Sequence, residues 1–238
     1  MNIALIGYGK MGKIIEEIAL QRGHKIVLKI DVDNAEDFTP ENIAKADVAI
    51  EFTGPHSAYD NVKKAISFAV PLVCGSTGWL ENLEEIKKLC AEKNGSFLYA
   101  SNFSIGVNIF FEINKRLAAL MAPHNDYEVS ITEIHHTQKR DSPSGTAITI
   151  AEAVMENISR KKSWVNHISD NADELEIISE RIDPAPGTHK VKYSSAIDDI
   201  EIIHTAHSRM GFAAGAVLAA EYIHDKKGIF SMKEVLGL

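Results

Sequence analysis

The sequence predicts an α/β fold. A doubly wound parallel sheet over residues 1–103 is followed by an α+β domain over 104–212, built on a mixed or antiparallel sheet. Three observations carry this. Short apolar runs alternate with amphipathic helical stretches through the first hundred or so residues, the pattern of a parallel sheet wrapped by helices. The first run enters a glycine turn, Gly7-Tyr8-Gly9-Lys10-Met11-Gly12, that opens a helix, as in Rossmann-type dinucleotide domains. Beyond Asp173, strand-like runs at Leu175–Ile182, His189–Ser194 and Ile200–Ala206 succeed one another without helices, which a purely parallel sheet does not do.

Ile3–Ile6 is the first strand, and a helix from about Lys10 to Arg22 follows. Gly7 allows the tight turn, Gly9 lets the backbone approach a pyrophosphate, and Gly12 permits close packing of helix on strand. Lys10 and Met11 belong to the same cofactor-binding turn. Ile26–Ile30 is the second strand and ends at Asp31, at the usual distance for an acid that holds the adenosine ribose. A carboxylate there accepts hydrogen bonds from both ribose hydroxyls of NADH and repels the extra phosphate of NADPH. NADH is therefore the preferred cofactor; Lys10 and Lys29 could soften the repulsion, which leaves NADPH use open. A glycine turn that binds nothing is the competing reading.

Residues 47–52 form a third strand ending in Thr53-Gly54-Pro55-His56, and a helix from about Ser57 to Ala69 follows. Leu72–Cys74 is the fourth strand and runs into Gly75-Ser76-Thr77-Gly78. Parallel strands present their C-terminal ends to a ligand, so Phe52, Thr53, Gly75, Ser76 and Thr77 should line the dinucleotide crevice. For the second loop an ordinary strand-to-helix turn is the alternative. A helix over about 80–93 leads to the fifth strand, Phe97–Ala100, and a helix from about Val107 to Met121 follows.

The densest cluster of ionisable and turn-forming residues runs from Glu133 to Ala147. A strand over Tyr127–Ile134, with Val129, Ile131 and Glu133 on one side, delivers the histidines at its end. If it continued, His135, Thr137 and Lys139 would share one face and His136 the other, so the histidines could not easily share one ligand atom and no metal is expected. Ser142-Pro143-Ser144-Gly145-Thr146 is a turn that opens a helix, since Ala147, Ile148, Ala151, Val154, Met155 and Ile158 recur at helical spacing. Such a helix start, with hydroxyls at Ser144 and Thr146 and close approach at Gly145, suits a carboxylate or phosphate. The plainer reading is that Ser144 or Thr146 only caps a helix.

The order Glu133-x-His135-His136-x-x-Lys139-x-Asp141-x-Pro143-Ser144-Gly145-Thr146-Ala147 resembles the signature loop of the dihydrodipicolinate reductase family. Members reduce a cyclic dicarboxylate on the diaminopimelate route to lysine. The resemblance covers nearly the whole chain and implies 4-hydroxy-tetrahydrodipicolinate as substrate and NAD(P)H as reductant. It implies His135 and Lys139 near the reacting ring, and His136, Ser144, Gly145 and Thr146 on the dicarboxylate. Histidine ordinarily titrates near neutrality and suits the proton donor, whereas lysine stays charged and suits a carboxylate.

The same resemblance implies that Ser101, Asn102 and Phe103 contact the nicotinamide end, with core packing the alternative for Phe103. It implies further that 213–238 returns to the dinucleotide domain, and that 104–212 binds substrate and assembles a homotetramer through its sheet. Leu175, Ile177, Ile200 and Ile202 alternate with Glu174, Glu176, Asp199 and Glu201, which by itself also permits a solvated face. Two departures stand out. Ser76 replaces a threonine of the family's Gly-Thr-Thr-Gly loop. Asp183 replaces the first glycine of Arg-x-Gly-x-x-x-Gly-x-His, although Arg181, Gly187 and His189 remain, so an altered loop is expected there.

A composition of 45% hydrophobic and 24% charged residues is that of an ordinary globular protein. The net charge of -8 argues against nucleic-acid and anionic-membrane partners, so a small-molecule site must supply its own positive charge. Only Cys74 and Cys90 occur, without metal-ligand spacing, and no apolar run approaches a membrane span or precedes Met1-Asn2-Ile3-Ala4 as a leader. A cytoplasmic protein is expected. An amino-acid or sugar dehydrogenase with the same cofactor half would leave the signature loop unexplained, and a nucleotide sensor would need a DNA-reading or partner module of which no basic helix pair gives a sign.

Overall fold

A computed structural model describes every residue from Met1 to Leu238. The chain divides into two compact units, Met1–Ile105 with Arg209–Leu238, and Gly106–Ser208. In chain order the elements begin β1 (Asn2–Ile6), α1 (Lys10–Gln21), β2 (Lys25–Ile30), α2 (Pro40–Ile43), β3 (Val48–Glu51), α3 (Ala58–Ser67), β4 (Leu72–Cys74), α4 (Leu83–Glu92) and β5 (Ser96–Tyr99). Then come α5 (Ile105–Met121), β6 (Glu128–His135), α6 (Gly145–Asn157), β7 (Ser163–Val165), β8 (Glu174–Arg181), β9 (Gly187–Ser194) and β10 (Asp199–Ala206). The chain ends with α7 (Met210–Ile223), β11 (Gly228–Phe230) and α8 (Met232–Leu236).

The first unit is a parallel sheet in the order β11-β5-β4-β3-β1-β2. Its strands are apolar on both faces because both faces are covered. Ile3, Leu5, Ile50 and Val73 pack on α1, α7 and α8 through Ile15, Val217 and Met232. Ala4, Ile6, Ala49 and Leu72 pack on α3 and α4 through Val62, Ile66 and Ile86. Chain order reverses between β1 and β3, which opens a crevice at their C-terminal ends. The small residues of α7 allow close approach: a Cβ on Gly215 would stand 1.8 Å from the Phe103 carbonyl oxygen.

The second unit holds a mixed sheet, β10-β9-β6-β8-β7, in which β9 runs antiparallel to β6 and β10 while β8 runs parallel to β6 and β7. One face carries Val129, Ile131, Leu175, Ile177, Val191 and Tyr193, which close a core with Phe110, Ala118, Ala151 and Val154 of α5 and α6. Leu175 and Ile177 are thus covered from within the unit, and Ile202 packs against the same core. The opposite face presents Ser130, Thr132, Lys190 and Lys192, all half-buried.

Several short elements were not expected from the sequence. Ser163–Val165 forms β7, with Trp164 in it. Two 3-10 segments, Val32–Asp37 and Leu80–Asn82, precede α2 and α4, and β11 adds a sixth strand to the parallel sheet. Each is too short for a period to emerge in the sequence.

Candidate active site

In the first unit, two of the three turn glycines are required by the protein's own packing. Gly7 has φ +94°, and a Cβ there would lie 2.2 Å from the Phe52 carbonyl oxygen. A Cβ on Gly12 would lie 2.3 Å from the Gly7 carbonyl oxygen, so this glycine lets α1 close on the turn. At Gly9, by contrast, a Cβ would meet nothing within 4 Å. The space in front of α1 is open, and a helix N-terminus of this kind could hold an anionic group on its N–H groups. Two cavities adjoin it. One of about 410 Å³ is lined by Gly7, Gly9, Asp31, Thr53, His56 and Asn61 among others, and one of about 470 Å³ by Lys10, Met11, Phe52, Gly75, Ser76 and Thr77 among others. His56 and Asn61 had not been singled out in the sequence.

The acid at the end of β2 sits at the rim of the smaller cavity. The Asp31 carboxylate accepts the Val32 N–H at 2.9 Å and so caps the following 3-10 segment. Lys29, expected to soften its charge, is committed elsewhere: Nζ lies 2.7 Å from Glu16 and donates to Tyr8 Oη at 3.2 Å. Those contacts raise the Lys29 ammonium and lower the Glu16 carboxyl relative to their ordinary values.

Beneath the crevice lies a residue that sequence reasoning missed. Glu51 closes β3 and is fully buried. Its carboxylate accepts the Thr53 N–H and the Ser76 hydroxyl, each at 3.0 Å, the Cys74 thiol at 3.0 Å, and the Thr53 hydroxyl through a short contact. Ser76 Oγ in turn accepts the Thr53 N–H at 2.8 Å. One carboxylate therefore ties together the loops after β3 and β4, and it turns the Ser76 hydroxyl inward. Burial, with Glu51 beside it, pushes the Cys74 thiol up, so it is not a reactive thiolate. The available signal was an acid at the end of an otherwise apolar strand.

Of the residues expected at the nicotinamide, Ser101 is exposed, and Asn102 is half-buried with Oδ1 accepting the Ser104 N–H at 2.9 Å. Phe103 is only 2% exposed, and its ring packs 5.6 Å from that of Phe52, a residue that lines both cavities. The tight Phe103–Gly215 approach accounts for the burial.

In the second unit, β6 buries Val129, Ile131, Glu133 and His135 in strict alternation and stops at His135. His136 is consequently half-buried, and Thr137 and Lys139 lie in the loop beyond. Asp183, the departure from the family pattern, pins that loop by accepting the Thr137 N–H at 3.1 Å and the Thr137 hydroxyl at 2.6 Å. These bonds, with His136 nearby, lower its carboxyl. Lys139 Nζ donates to both oxygens of Asp141, at 2.9 and 2.8 Å.

The centre of the unit is Glu133, with no exposed surface. Oε1 accepts the Ser144 N–H at 3.1 Å, the Ser179 hydroxyl at 2.7 Å and Arg181 Nη2 at 3.1 Å. Oε2 faces His135 Nδ1 at 3.2 Å and His189 Nε2 at 3.9 Å. Burial alone would raise this carboxyl, but the contacts with His135, Ser144, Ser179 and Arg181 outweigh it and hold the group ionised far below the usual range. His189 behaves oppositely: burial, with His135 next to it, pushes it down to about 3, so it is neutral at physiological pH. The ligand atoms of Glu133, His135 and His189 lie within 4.8 Å of one another, a spacing a cation could bridge. Sequence reasoning weighed only His135 against His136 and missed His189 as the neighbour of His135.

Ser144 caps α6, its Oγ accepting the Ala147 N–H at 3.2 Å while lying 3.3 Å from His189 Nε2. With its N–H on Glu133, both of its polar groups are engaged within the protein. Gly145 is exposed and a Cβ there would meet nothing within 4 Å, so packing does not require this glycine. Thr146 is half-buried.

A sheet reversing at β1/β3 above a glycine turn defines the first unit as that of a dinucleotide-dependent oxidoreductase, and a second sheet carrying ionisable groups is how the two-domain enzymes of that class are built. Within the class, this chain belongs to the dihydrodipicolinate reductase family. The family's N-terminal model matches residues 1–103 and its C-terminal model residues 106–236. The chain is 52% identical over 236 residues to the 4-hydroxy-tetrahydrodipicolinate reductase of Christiangramia forsetii, covering 99% of this chain and 98% of the relative. It is 38% identical over 267 residues to that of Methanosarcina barkeri, covering 100% of each. A dipicolinate-bound dihydrodipicolinate reductase from Paenisporosarcina sp. TG-14 has the same fold, with TM-score 0.75 at 21% identity over 97% of both chains.

Proposed function

We propose that the chain reduces 4-hydroxy-tetrahydrodipicolinate to tetrahydrodipicolinate with NADH or NADPH, as a step of the diaminopimelate route to lysine. The observation that carries this is the 52% identity to a reductase of that name over 99% of the chain. Unit one, Met1–Ile105 with Arg209–Leu238, is the dinucleotide-binding domain and Gly106–Ser208 the substrate domain. The nicotinamide supplies the hydride. The chain's own groups bind, orient and protonate. Gly7, Gly9, Lys10, Met11 and Gly12 cradle the pyrophosphate; Asp31 holds the ribose; Phe52, Thr53, Gly75, Ser76 and Thr77 line the path to the nicotinamide, with Ser101 and Asn102 at its end.

In the substrate domain Lys139 leaves Asp141 to hold a carboxylate of the substrate, and His135 gives a proton as hydride arrives. Hydride and proton enter and water leaves, so charge and atoms balance. Gly145, Thr146 and His136 receive the dicarboxylate on the turn that Ser144 shapes, and a small cyclic dicarboxylate is in keeping with the dipicolinate bound by the Paenisporosarcina relative. NADH is the preferred donor, because the pairing of Lys29 with Glu16 leaves the charge of Asp31 to act against a 2′-phosphate.

The working form is a cytoplasmic homotetramer. No helix is long and apolar enough to cross a membrane. Exposed Ile203 on the edge strand β10, with Ile109, Ile113 and Leu120 exposed on α5, supports association through the substrate domain. Oxidation of NADH, followed at its absorbance band with freshly generated 4-hydroxy-tetrahydrodipicolinate, tests the function. Turnover with this substrate and none with inositols or amino acids is the expected result, and the reverse preference overturns it.

A further inference from the structure

We propose that Glu133 is a positioning residue for proton transfer: its buried carboxylate fixes the hydrogen of His135 on Nδ1, and also clamps the turn that opens α6. The inference rests on the reductase reading above. The geometry divides the carboxylate in two. Oε1 is occupied by the Ser144 N–H, the Ser179 hydroxyl and Arg181, leaving Oε2 to face His135 Nδ1 at 3.2 Å. The two atoms are out of hydrogen-bond alignment and neither has another hydrogen-bond partner, but an ionised carboxylate only accepts, so at this distance it favours a hydrogen on Nδ1 and leaves Nε2 as the atom that gives or takes the mobile proton. Gly187 matters for the same reason: a Cβ there would stand 3.0 Å from Nε2 and crowd it.

The charged and titratable groups shown beside His135 are Glu133 on its own strand, with Oε2 3.2 Å from Nδ1, His189 on β9, with ring centroids 5.2 Å apart, and Arg181, its register partner on β8. Of these only Glu133 is fully without exposed surface, and its Oε1 accepts the Ser144 N–H at the start of α6. Donor orientation and the shape of the carboxylate-binding turn thus depend on one side chain.

Ring nitrogen NMR on the whole protein tests the tautomer without reference to turnover. The wild type should show the His135 hydrogen on Nδ1, and Glu133→Gln should redistribute it between the nitrogens; a wild-type hydrogen on Nε2 overturns the inference even if the reductase reading stands. Kinetics supplies the second arm. Glu133→Gln should lower kcat at least about tenfold and leave the KM for NADH unchanged, because the carboxylate orients the donor and not the cofactor. Glu133→Asp should lie between Gln and wild type. An unchanged kcat, or a stoichiometric divalent metal whose removal abolishes activity, overturns the role. Should Glu133→Gln fail to fold, Glu133→Asp, which keeps the charge but shortens its reach, decides instead: kcat should fall at constant KM for NADH, and unchanged kcat overturns the inference. A wild type that binds NADH without turning over this substrate counts against the reductase reading, while the NMR result still decides the role of Glu133.

Discussion

Replacing Lys139 by alanine separates chemistry from stability. Nζ is held only by Asp141, whose side chain is 56% exposed. A surface pair of this kind contributes about 0–1 kcal/mol, so the variant should melt within a few degrees of the wild type. Its kinetic effect should be far larger. A preorganised charge on the reacting substrate is worth about 2.7–4 kcal/mol, the loss seen when one transition-state contact is removed, or about a hundredfold to a thousandfold in kcat. Lys139 belongs to the second unit and the glycine turn to the first, so NADH affinity should not change. Steady-state NADH oxidation, a fluorescence titration with NADH and a thermal melt make the measurement. Turnover within about threefold of wild type at equal NADH affinity would refute the role.

Asp31→Ala should weaken NADH more than NADPH, since an acceptor for the ribose and a source of repulsion disappear together; a fixed ratio of the two kcat/KM values would remove Asp31 from the ribose. Gly12→Ala puts a Cβ 2.3 Å from a backbone oxygen that cannot yield. Overpacking of about 1–3 kcal/mol outweighs the gain of roughly 1 kcal/mol for alanine in a helix, so both Tm and NADH affinity should drop, and an unchanged Tm would show slack at the turn. Both His189 and Glu133 are depressed below their ordinary values of 6.5 and 4.5. In each case the unfolded chain takes up the proton first, so stability is full above the ordinary value and falls as pH drops, from about 6.5 for His189 and again below about 4.5 for Glu133. His189→Asn should flatten the upper part of that decline in denaturant titrations, and an unaltered slope would place the proton uptake elsewhere. Light scattering at micromolar concentration should give four times the 26.2 kDa of one chain; a monomeric mass with full activity would contradict the tetramer.

What was legible in the sequence follows from period and from glycine. The first five parallel strands, the signature strand and the helices α1, α3, α4, α5 and α6 announced themselves because each repeats its apolar spacing long enough to be read. Gly7 and Gly12 were recognised for the packing they serve, and Asp31 for its distance from the turn. Hidden elements such as β7, β11 and α2 span four residues or fewer, and nothing in three residues distinguishes an edge strand from a loop. At the site, the signature loop gave His135, His136 and Lys139, but its anchors are tertiary. Ser179, Arg181 and His189 reach Glu133 from β8 and β9 through sheet pairing, which no local spacing encodes. Phe103 reads two ways because one aromatic residue serves a core or a ligand equally well.

The most direct test of hydride transfer to the proposed substrate is isotopic. NADH deuterated at the transferable position of the nicotinamide, supplied with freshly generated 4-hydroxy-tetrahydrodipicolinate, should give tetrahydrodipicolinate carrying one deuterium, in step with the NAD formed. Oxidation of the deuterated NADH with no deuterium in that product, or no oxidation under conditions where the Christiangramia relative turns over, would contradict the account.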